Sequence, residues 1–351
     1  MRNVLGSNRI DALLVTHLPN IRYLCGFTGS AGALLVREAG STFFTDGRYT
    51  AQAWSQVQGA KVVIVRRSPS VAAGEWLAAK AKTRITVGIE GEHLTVAERS
   101  RLQAVLEKEI KLRATPPLVE RFRMIKDREE IERIRAAVLL GASLFDIALK
   151  TIRPGVKETE VAAEMEYAAR SRGAEGMSFE TIIASGPRSA LPHGRASDAA
   201  IPARGFVVGD FGVILSGYCS DMTRTVYVGK ITPKARRMYE AVREAQQAGL
   251  DAVKPGVSVG RVDREARKSL QRRKLGNHFT HSTGHGVGLE IHEAPRIAKG
   301  QSENLCPGMV ITIEPGAYVP GFGGVRIEDM VVVTESGCEV LTPTSKELIT
   351  I

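Results

Sequence analysis

The sequence predicts a two-domain protein, in which an α/β domain is followed by an α+β domain that contains an internal duplication. Three observations carry this prediction. The chain has 351 residues, which exceeds the size of one typical core. Residues 11–116 alternate short apolar runs with amphipathic stretches, and a segment that begins at residue 152 recurs from residue 253.

The first domain is predicted from four β-branched runs and two amphipathic stretches. The runs DALLVTH, STFFTD, KVVIVRR and RITVGIE have the length and composition of buried strands. RYTAQAWSQV and TVAERSRLQAVL are amphipathic, as surface helices are. Alternation of strands with helices is typical of an α/β domain.

The domain boundary is predicted between residues 115 and 126. The segment TPPLVERFRMIK carries two consecutive prolines and no clear hydrophobic period. Beyond it, Asp127 and Glu130 have the spacing of a capping box, which begins a new helix. The predicted domains are therefore 1–120 and 121–351.

The second domain repeats itself at a constant offset of 101 residues. IRPGVKETEVAAE (152–164) aligns with VKPGVSVGRVDRE (253–265) through a shared Pro-Gly-Val and further apolar and acidic matches. Each copy is followed by a polar loop with histidine and then by a pair of apolar strands with two acidic residues. Two similar halves that face each other would bring the four acids together.

The composition argues against several classes of protein. The formal net charge is +10, but Lys and Arg are scattered without interleaved aromatic residues, which is typical of a solvated surface and not of a nucleic-acid groove. No apolar run approaches the ~20 residues of a membrane span, and the N-terminus lacks a signal-peptide pattern, so we expect a cytoplasmic protein with no membrane partner. The cysteines lie far apart, which predicts reduced thiols.

Four acidic residues of the second domain lie in predicted strand pairs. Asp210 and Asp221 belong to GDFGVILSGYCSDMTRTVYVG, and Glu314 and Glu328 belong to VITIEPGAYVPGFGGVRIEDMVVV. Glycine and proline between the second pair allow the chain to reverse. We therefore expect all four carboxylates to face a common site.

Such a cluster requires cations. Four carboxylates cannot all ionise in an apolar interior, where an uncompensated charge is very unfavourable. Arg224 and Arg326 offer salt bridges, but two arginines do not neutralise four acids. Divalent metal ions would, and His285 in THSTGHGVGLEIHE offers a fifth ligand. One imidazole among carboxylates favours Mn²⁺, Fe²⁺ or Co²⁺ over a structural zinc. Arg326 shares a strand face with Glu328, so we expect it to support that acid.

These residues resemble the M24, or pita-bread, metallopeptidase family, which includes methionine aminopeptidase, aminopeptidase P, prolidase and creatinase. The resemblance covers nearly the whole chain and implies five metal ligands: Asp210, Asp221, His285, Glu314 and Glu328. By the same resemblance, Asp221 and Glu328 would bridge two metal ions. Asp210 would hold one of the ions, and His285 with Glu314 would hold the other.

The resemblance also implies roles for residues around the metal ions. His193 in LPHG and His292 in LEIHE stand where the family places histidines that bind substrate and stabilise the transition state. Arg326 matches the family pattern as well. Glu314 is the expected proton acceptor, because it would contact both metal and water.

The first domain narrows the expected activity. NIRYLCGFTGSAGALLV and TDGRYTAQA resemble the creatinase-type N-terminal domain of aminopeptidase P, prolidase and creatinase, which a minimal methionine aminopeptidase lacks. Creatinase-like enzymes lack the full metal set, so five intact ligands argue against that activity. The resemblance implies a metal-dependent Xaa-Pro peptidase with two divalent ions, Mn²⁺ in the first place and Co²⁺ or Zn²⁺ as alternatives. A hydroxide that bridges the ions would attack the bond before proline, and enzymes of this kind are commonly homodimers.

Within this branch we favour an Xaa-Pro aminopeptidase (aminopeptidase P), which acts on short peptides with proline at the second position. The alternative is an Xaa-Pro dipeptidase (prolidase), which would share every ligand. The preference rests on the compact chain, in which no segment is obviously placed to recognise the carboxylate of a dipeptide. The complete ligand set argues against a non-catalytic binding protein of the same fold. Tyr218, Tyr318 and Phe211 are candidate walls of the proline pocket.

Overall fold

The computed structural model describes residues 2–81 and 83–351, and the chain divides into two compact units, Met1–Arg123 and Met124–Ile351. The division falls inside the segment 115–126 in which the sequence places the domain boundary. Each unit has its own sheets and its own clusters of buried apolar side chains.

The first unit is built on a mixed six-stranded sheet with the order β4-β3-β2-β1-β5-β6. Its elements in chain order are α1 (Arg2–Ser7), β1 (Ala12–Val15), α2 (Leu18–Cys25), β2 (Ala33–Arg37), β3 (Gly40–Asp46), α3 (Thr50–Gln56), β4 (Ala60–Val65), α4 (Pro69–Ala78), β5 (Ile85–Glu90), α5 (Val96–Val105), β6 (Ile110–Thr115) and α6 (Val119–Arg123). The four predicted strands are β1, β3, β4 and β5, and the two predicted helices are α3 and α5. The α/β prediction is confirmed.

Helices cover both faces of this sheet because its central strand is apolar on both sides. The sequence ALLV of β1 is buried throughout. Leu13 and Val15 pack with side chains of α1, α2 and α3, while Ala12 and Leu14 pack with α4 and α5. This alternation follows from the two-residue period of a strand.

The second unit contains four longer helices and thirteen strands in the part of the chain described. They are α7 (Arg128–Thr151), α8 (Glu158–Ser171), β7 (Gly176–Met177), β8 (Ile182–Ser185), β9 (Gly205–Phe211), β10 (Val213–Leu215), β11 (Tyr218–Cys219), β12 (Met222–Val228), α9 (Pro233–Asp251), α10 (Val259–Arg272), β13 (Gly284–Gly286), β14 (Glu293–Ile297), β15 (Val310–Ile313), β16 (Gly316–Val319), β17 (Gly323–Arg326), β18 (Asp329–Val333) and β19 (Cys338–Val340). Helix α7 begins with the predicted capping box, in which Asp127 accepts from the Glu130 N–H at 2.9 Å and Glu130 accepts from the Asp127 N–H at 3.0 Å.

The two halves of this unit have the same plan, as the sequence repeat predicts. Helices α7 and α8 pack on the sheet β12-β9-β8, and α9 and α10 pack on the sheet β14-β13-β15-β18-β19. The aligned glycines Gly155 and Gly256 lie just before α8 and α10 and have φ of +88° and +78°. This left-handed conformation favours glycine, which explains the shared Pro-Gly pair. The predicted duplication is confirmed.

The structure also answers two questions raised by the composition, which concern membrane-spanning helices and the cysteines. Within residues 2–81 and 83–351, no helix combines the length and the apolar character that a membrane span needs. The four cysteines are free thiols, and Cys25 and Cys219 are buried. Burial raises the pKa of the Cys25 thiol.

Candidate active site

The four predicted acids converge on one cavity of the second unit. Asp210 lies on β9 opposite Thr223 of β12, and Asp221 immediately precedes β12. Glu314 follows β15 and Glu328 precedes β18, and these strands are antiparallel neighbours. The hairpin β16–β17 connects Glu314 to Glu328. All four acids line a cavity of about 770 Å³.

His285 completes this cluster. Its Nε2 lies 3.6 Å from Asp221 Oδ2 and 3.7 Å from Glu314 Oε1. Its Nδ1 lies 3.0 Å from the carbonyl oxygen of Gly286, which can only accept, so Nδ1 carries the hydrogen. Burial lowers the pKa of His285 to about 4, so the ring is neutral at pH 7 and the Nε2 lone pair faces acidic oxygens. That arrangement is unfavourable unless a cation lies between them.

Three acids also carry a buried oxygen without a hydrogen-bond partner in the described part of the chain: Asp210 Oδ1, Asp221 Oδ1 and Glu328 Oε1. Burial, followed by the charge of Asp210, raises the pKa of Glu328 to about 8. Burial and then the Glu328 carboxylate raise the pKa of Asp221 and Glu314 well above their usual range. Ligand atoms of Asp221, His285 and Glu328 lie within 4.8 Å of one another. These buried acceptors have the chemistry of a cation site.

Arg326 bonds directly to Asp210, whereas the sequence predicted that it would support Glu328. Its Nη2 donates to Asp210 Oδ2 at 2.5 Å, and its Nη1 donates to the carbonyl oxygen of Pro192 at 2.9 Å. Glu328 instead accepts from the Thr223 hydroxyl at 2.7 Å. The charge of Arg326 acts to lower the pKa of Glu328, so that acid receives electrostatic support without a direct hydrogen bond. Strand periodicity gives the face of Arg326, whereas its hydrogen-bond partner comes from a neighbouring sheet.

His281 lines the same cavity and was missed by the sequence analysis. Its Nδ1 lies 2.8 Å from the Ser282 carbonyl oxygen and therefore carries the hydrogen. Its Nε2 consequently accepts from the Tyr318 hydroxyl at 2.9 Å, and Tyr318 accepts from Arg326 Nη1 at 2.7 Å. Burial lowers the pKa of His281 to about 3, which keeps the ring neutral. Its place four residues before His285, in the same histidine-rich segment of the sequence, is the signal that could have identified it.

His193 and His292 reach the cavity from two different segments. His193 lies in the loop between β8 and β9, and its side chain is exposed. The His292 ring packs edge-on against His285, with 4.4 Å between the ring centroids. Burial lowers the pKa of His292. Both predicted histidines therefore lie where they can contact a molecule bound in the cavity.

The apolar wall of the cavity differs from the prediction. The aromatic residues predicted as walls are buried and are absent from the described lining: Phe211, Tyr218 and Tyr318. Tyr218 donates instead to Glu130 at 2.9 Å. The apolar lining includes Phe179, Ile182 and Ile291. Hydrophobicity alone does not distinguish a core position from a wall position.

Arg296 is a second cavity residue that the sequence analysis missed. It is exposed, lines the cavity and lies opposite His285 in the β13–β14 pair, so both side chains project from one face. Arg195 also lines the cavity, but it pairs with Glu180 at 3.0 Å. Within the described residues, the Arg296 side chain forms no ion pair with an acid. Nothing in the local sequence distinguishes it from a surface arginine.

Comparison with known proteins decides the family. The sequence model of metallopeptidase family M24 matches residues 132–335, and that of the creatinase/prolidase N-terminal domain matches residues 1–125. The chain belongs to metallopeptidase family M24. The predicted pita-bread fold with a creatinase-type N-terminal domain is thereby confirmed.

The relatives of this M24 chain confirm the predicted Xaa-Pro branch of the family. The Xaa-Pro dipeptidase of Pyrococcus furiosus is 45% identical over 269 residues, which is 76% of this chain and 76% of the relative. The structure of an Xaa-Pro dipeptidase from Bacillus anthracis has a TM-score of 0.96 and 40% identity and covers 100% of this chain and 98% of that one. The X-Pro aminopeptidase of Thermotoga maritima has a TM-score of 0.90 and 36% identity, with coverage of 99% and 100%.

Membership of the M24 metallopeptidases implies divalent metal ions, and the residues present fit such ions. The Nε2 lone pair of His285 and the unpartnered oxygens of Asp210, Asp221 and Glu328 all need a positively charged partner. Metal ions would satisfy these acceptors together, since carboxylate oxygen and neutral imidazole nitrogen are their usual ligands.

Proposed function

We propose that this M24 chain is a metal-dependent Xaa-Pro dipeptidase (prolidase), which hydrolyses the bond before the proline of a dipeptide. The position of Arg296 on the cavity wall favours a dipeptidase over an aminopeptidase. A dipeptide has a carboxylate directly on its proline, whereas a longer peptide has an amide there. A guanidinium on the cavity wall without an acidic partner matches the carboxylate.

The comparisons support the same choice. A relative with 45% identity and a structural neighbour with a TM-score of 0.96 are both named as Xaa-Pro dipeptidases. The sequence favoured aminopeptidase P because no segment was evident for a dipeptide carboxylate, and Arg296 removes that argument. The findings therefore favour the alternative named from the sequence over its first choice.

We assign two divalent metal ions, with Mn²⁺ in the first place, to the five predicted ligands: Asp210, Asp221, His285, Glu314 and Glu328. When bound, the ions would lower the pKa of a water molecule and polarise the carbonyl of the scissile bond. The oxygen-rich ligand set with one imidazole supports Mn²⁺ over zinc. Arg326 holds Asp210 in place through its 2.5 Å hydrogen bond, and it therefore acts by orienting a ligand.

The remaining steps use side chains that line the cavity. Glu314 accepts a proton from the attacking water at its carboxylate and later returns a proton to the proline nitrogen. His292 donates an N–H to the oxygen of the scissile carbonyl as negative charge develops there. His193 contacts the residue before proline, and Arg296 binds the proline carboxylate. Because the proline nitrogen carries no hydrogen in the peptide, recognition depends on the shape of the apolar wall.

Substrate length tests this proposal directly. We expect the Mn²⁺-loaded protein to hydrolyse Ala-Pro. Its kcat/KM for Ala-Pro-Ala and for Ala-Pro-amide should be at least about 10-fold lower, because neither peptide has a carboxylate directly on its proline for Arg296 to bind. Preferential hydrolysis of Ala-Pro-Ala would instead establish the aminopeptidase.

The cytoplasmic location and the homodimer stay predictions within this proposal.

The role of Arg296 has its own test. A charged hydrogen bond contributes about 1.5–3 kcal/mol, so Arg296→Met should reduce kcat/KM for Ala-Pro by roughly 10- to 150-fold, mainly through KM. The same variant should change hydrolysis of Ala-Pro-amide little. Arg195→Met is the matched control, because Arg195 lines the same cavity but pairs with Glu180. Equal losses in the two variants would contradict the assignment.

A further inference from the structure

One buried carboxylate holds both ends of the loop that carries His193. Glu158 is the first residue of α8 and is fully buried. Its Oε1 accepts from the N–H and the hydroxyl of Ser185, at 2.7 and 2.8 Å. Its Oε2 accepts from the N–H and the hydroxyl of Ser197, at 3.2 and 2.8 Å. A single side chain therefore closes the segment 185–197, which we call the His193 loop.

Arg188 strengthens this closure from inside the loop. Its Nε lies 3.1 Å from Glu158 Oε2, and its Nη2 donates to the carbonyl oxygen of Arg195 at 2.8 Å. On the cavity side, Arg326 donates to the carbonyl oxygen of Pro192 at 2.9 Å. The backbone on both sides of His193 is thus fixed, although the side chain of His193 is exposed.

The second histidine loop is held by a similar pair. Asp263 of α10 is buried, and it accepts from the Thr283 hydroxyl at 2.8 Å and from Arg267 Nε at 2.8 Å. Arg267 also donates to the carbonyl oxygens of Phe279, at 3.0 Å, and of His281. In each half of the unit, a buried acid paired with an arginine fixes a segment that brings a histidine to the cavity.

We propose that Glu158 is a positioning residue that sets the place of His193 in the cavity. The proposal rests on the proposed peptidase function, which gives His193 its contact with substrate. A carboxylate is needed because both ends of the loop present hydrogen-bond donors to it, and a carboxylate accepts at both oxygens. Glutamine offers one acceptor oxygen, so its amide group would face the donors at the other end.

A double-mutant cycle tests this positioning role in the Mn²⁺-loaded protein with both of its domains. Glu158→Gln should lower kcat/KM for Ala-Pro by about 10- to 100-fold, since small displacements of a substrate-contacting group have effects of that size. In a His193→Ala background the same change should cost less than about 2-fold, because the loop no longer presents the imidazole. In a His292→Ala background the loss should persist. Equal losses in the wild-type and His193→Ala backgrounds would overturn the proposal.

Two further variants keep the test decisive. Glu164→Gln changes an exposed acid of the same helix and should leave activity unchanged. Ser197→Ala removes one donor to Glu158 and should also lower kcat/KM for Ala-Pro, by a smaller factor than Glu158→Gln does. If Glu158→Gln does not fold, the kcat/KM of Ser197→Ala tests the proposal in its place.

Amide hydrogen exchange gives a readout that needs no turnover. Exchange across residues 186–196 should be faster in Glu158→Gln and in Ser197→Ala than in Glu164→Gln, because the ends of the loop are released. Unchanged exchange in both Glu158→Gln and Ser197→Ala would overturn the proposal. A wild-type protein that cleaves no Xaa-Pro peptide would overturn the proposed function and leave this measurement intact, so the two failures are distinguishable.

Discussion

The Thr223 hydroxyl donates to Glu328 Oε2 across 2.7 Å and accepts from Arg326 Nε at 3.1 Å. One side chain therefore connects an acid of the proposed metal centre to the arginine that holds Asp210. The orientation of both acids depends on this hydroxyl. Groups that orient metal ligands in this way usually affect metal affinity as well as activity.

We expect Thr223→Val to weaken metal affinity by about 10- to 100-fold, because it removes the donor to Glu328 while keeping the shape of the side chain. Titration calorimetry with Mn²⁺ measures the change. Thr225→Val is the control, since the Thr225 hydroxyl bonds to the backbone of Arg326, at 2.8 and 3.1 Å, and to no metal ligand among the described residues. Comparable losses of affinity in the two variants would contradict a specific role for Thr223.

We expect Glu314→Gln to lower kcat by about 100-fold or more while the protein stays folded, because the amide cannot accept the proton of the attacking water. Steady-state kinetics on Ala-Pro and a thermal melt measure the two quantities. Near-normal turnover would refute the assignment of Glu314 as the base. Metal content must be measured alongside, since Glu314 is also a proposed ligand.

We expect Asp221→Asn to stabilise the metal-free protein and to inactivate the metal-treated one. Burial and the neighbouring carboxylates make the charged form of Asp221 unfavourable, as the direction of its pKa shift indicates. Removal of that charge should therefore raise the Tm of the EDTA-treated protein at pH 8 by at least about 2 °C, the change that roughly 1 kcal/mol produces in a domain of this size. A lower Tm of the metal-free variant would show that the acids do not repel one another.

We expect the stability of the metal-free protein to fall as the pH rises. The pKa of Glu328 is raised from 4.5 to about 8 in the folded chain, so the folded state keeps a proton that the unfolded state has lost between these values. The contribution of the protonated Glu328 carboxyl to the free energy of unfolding is therefore fully present below about pH 4.5, and it is lost as the pH rises through about 8. Thermal melts in EDTA from pH 5.5 to 8.5 test this, and Glu328→Gln should flatten the dependence.

Metal binding should show the opposite dependence, because it requires deprotonated carboxylates. The difference in Tm between Mn²⁺-loaded and EDTA-treated protein should therefore increase from pH 5.5 to 8. A difference that stays constant over this range would indicate that the buried acids do not take part in binding.

Much of the fold was predictable because it depends on local pattern. The capping box of Asp127 and Glu130 begins α7 as predicted, and the repeated Pro-Gly pairs mark the left-handed turns at Gly155 and Gly256. Spacing and residue type also identified the acids that the structure gathers around the cavity. In each case the information lies within a few residues of the feature that it specifies.

By itself the sequence determined the domain types, the duplication and which acids and histidines were candidates for chemistry, because periodicity and turn residues act locally. Only the tertiary structure decided which side chains meet. Arg326 pairs with Asp210, 116 residues away, and Glu158 closes the ends of a loop 27 and 39 residues further along the chain. Arg296 became a candidate only through its place on the cavity wall and its strand register opposite His285. Such pairings arise when separate elements pack together, and no local pattern records them.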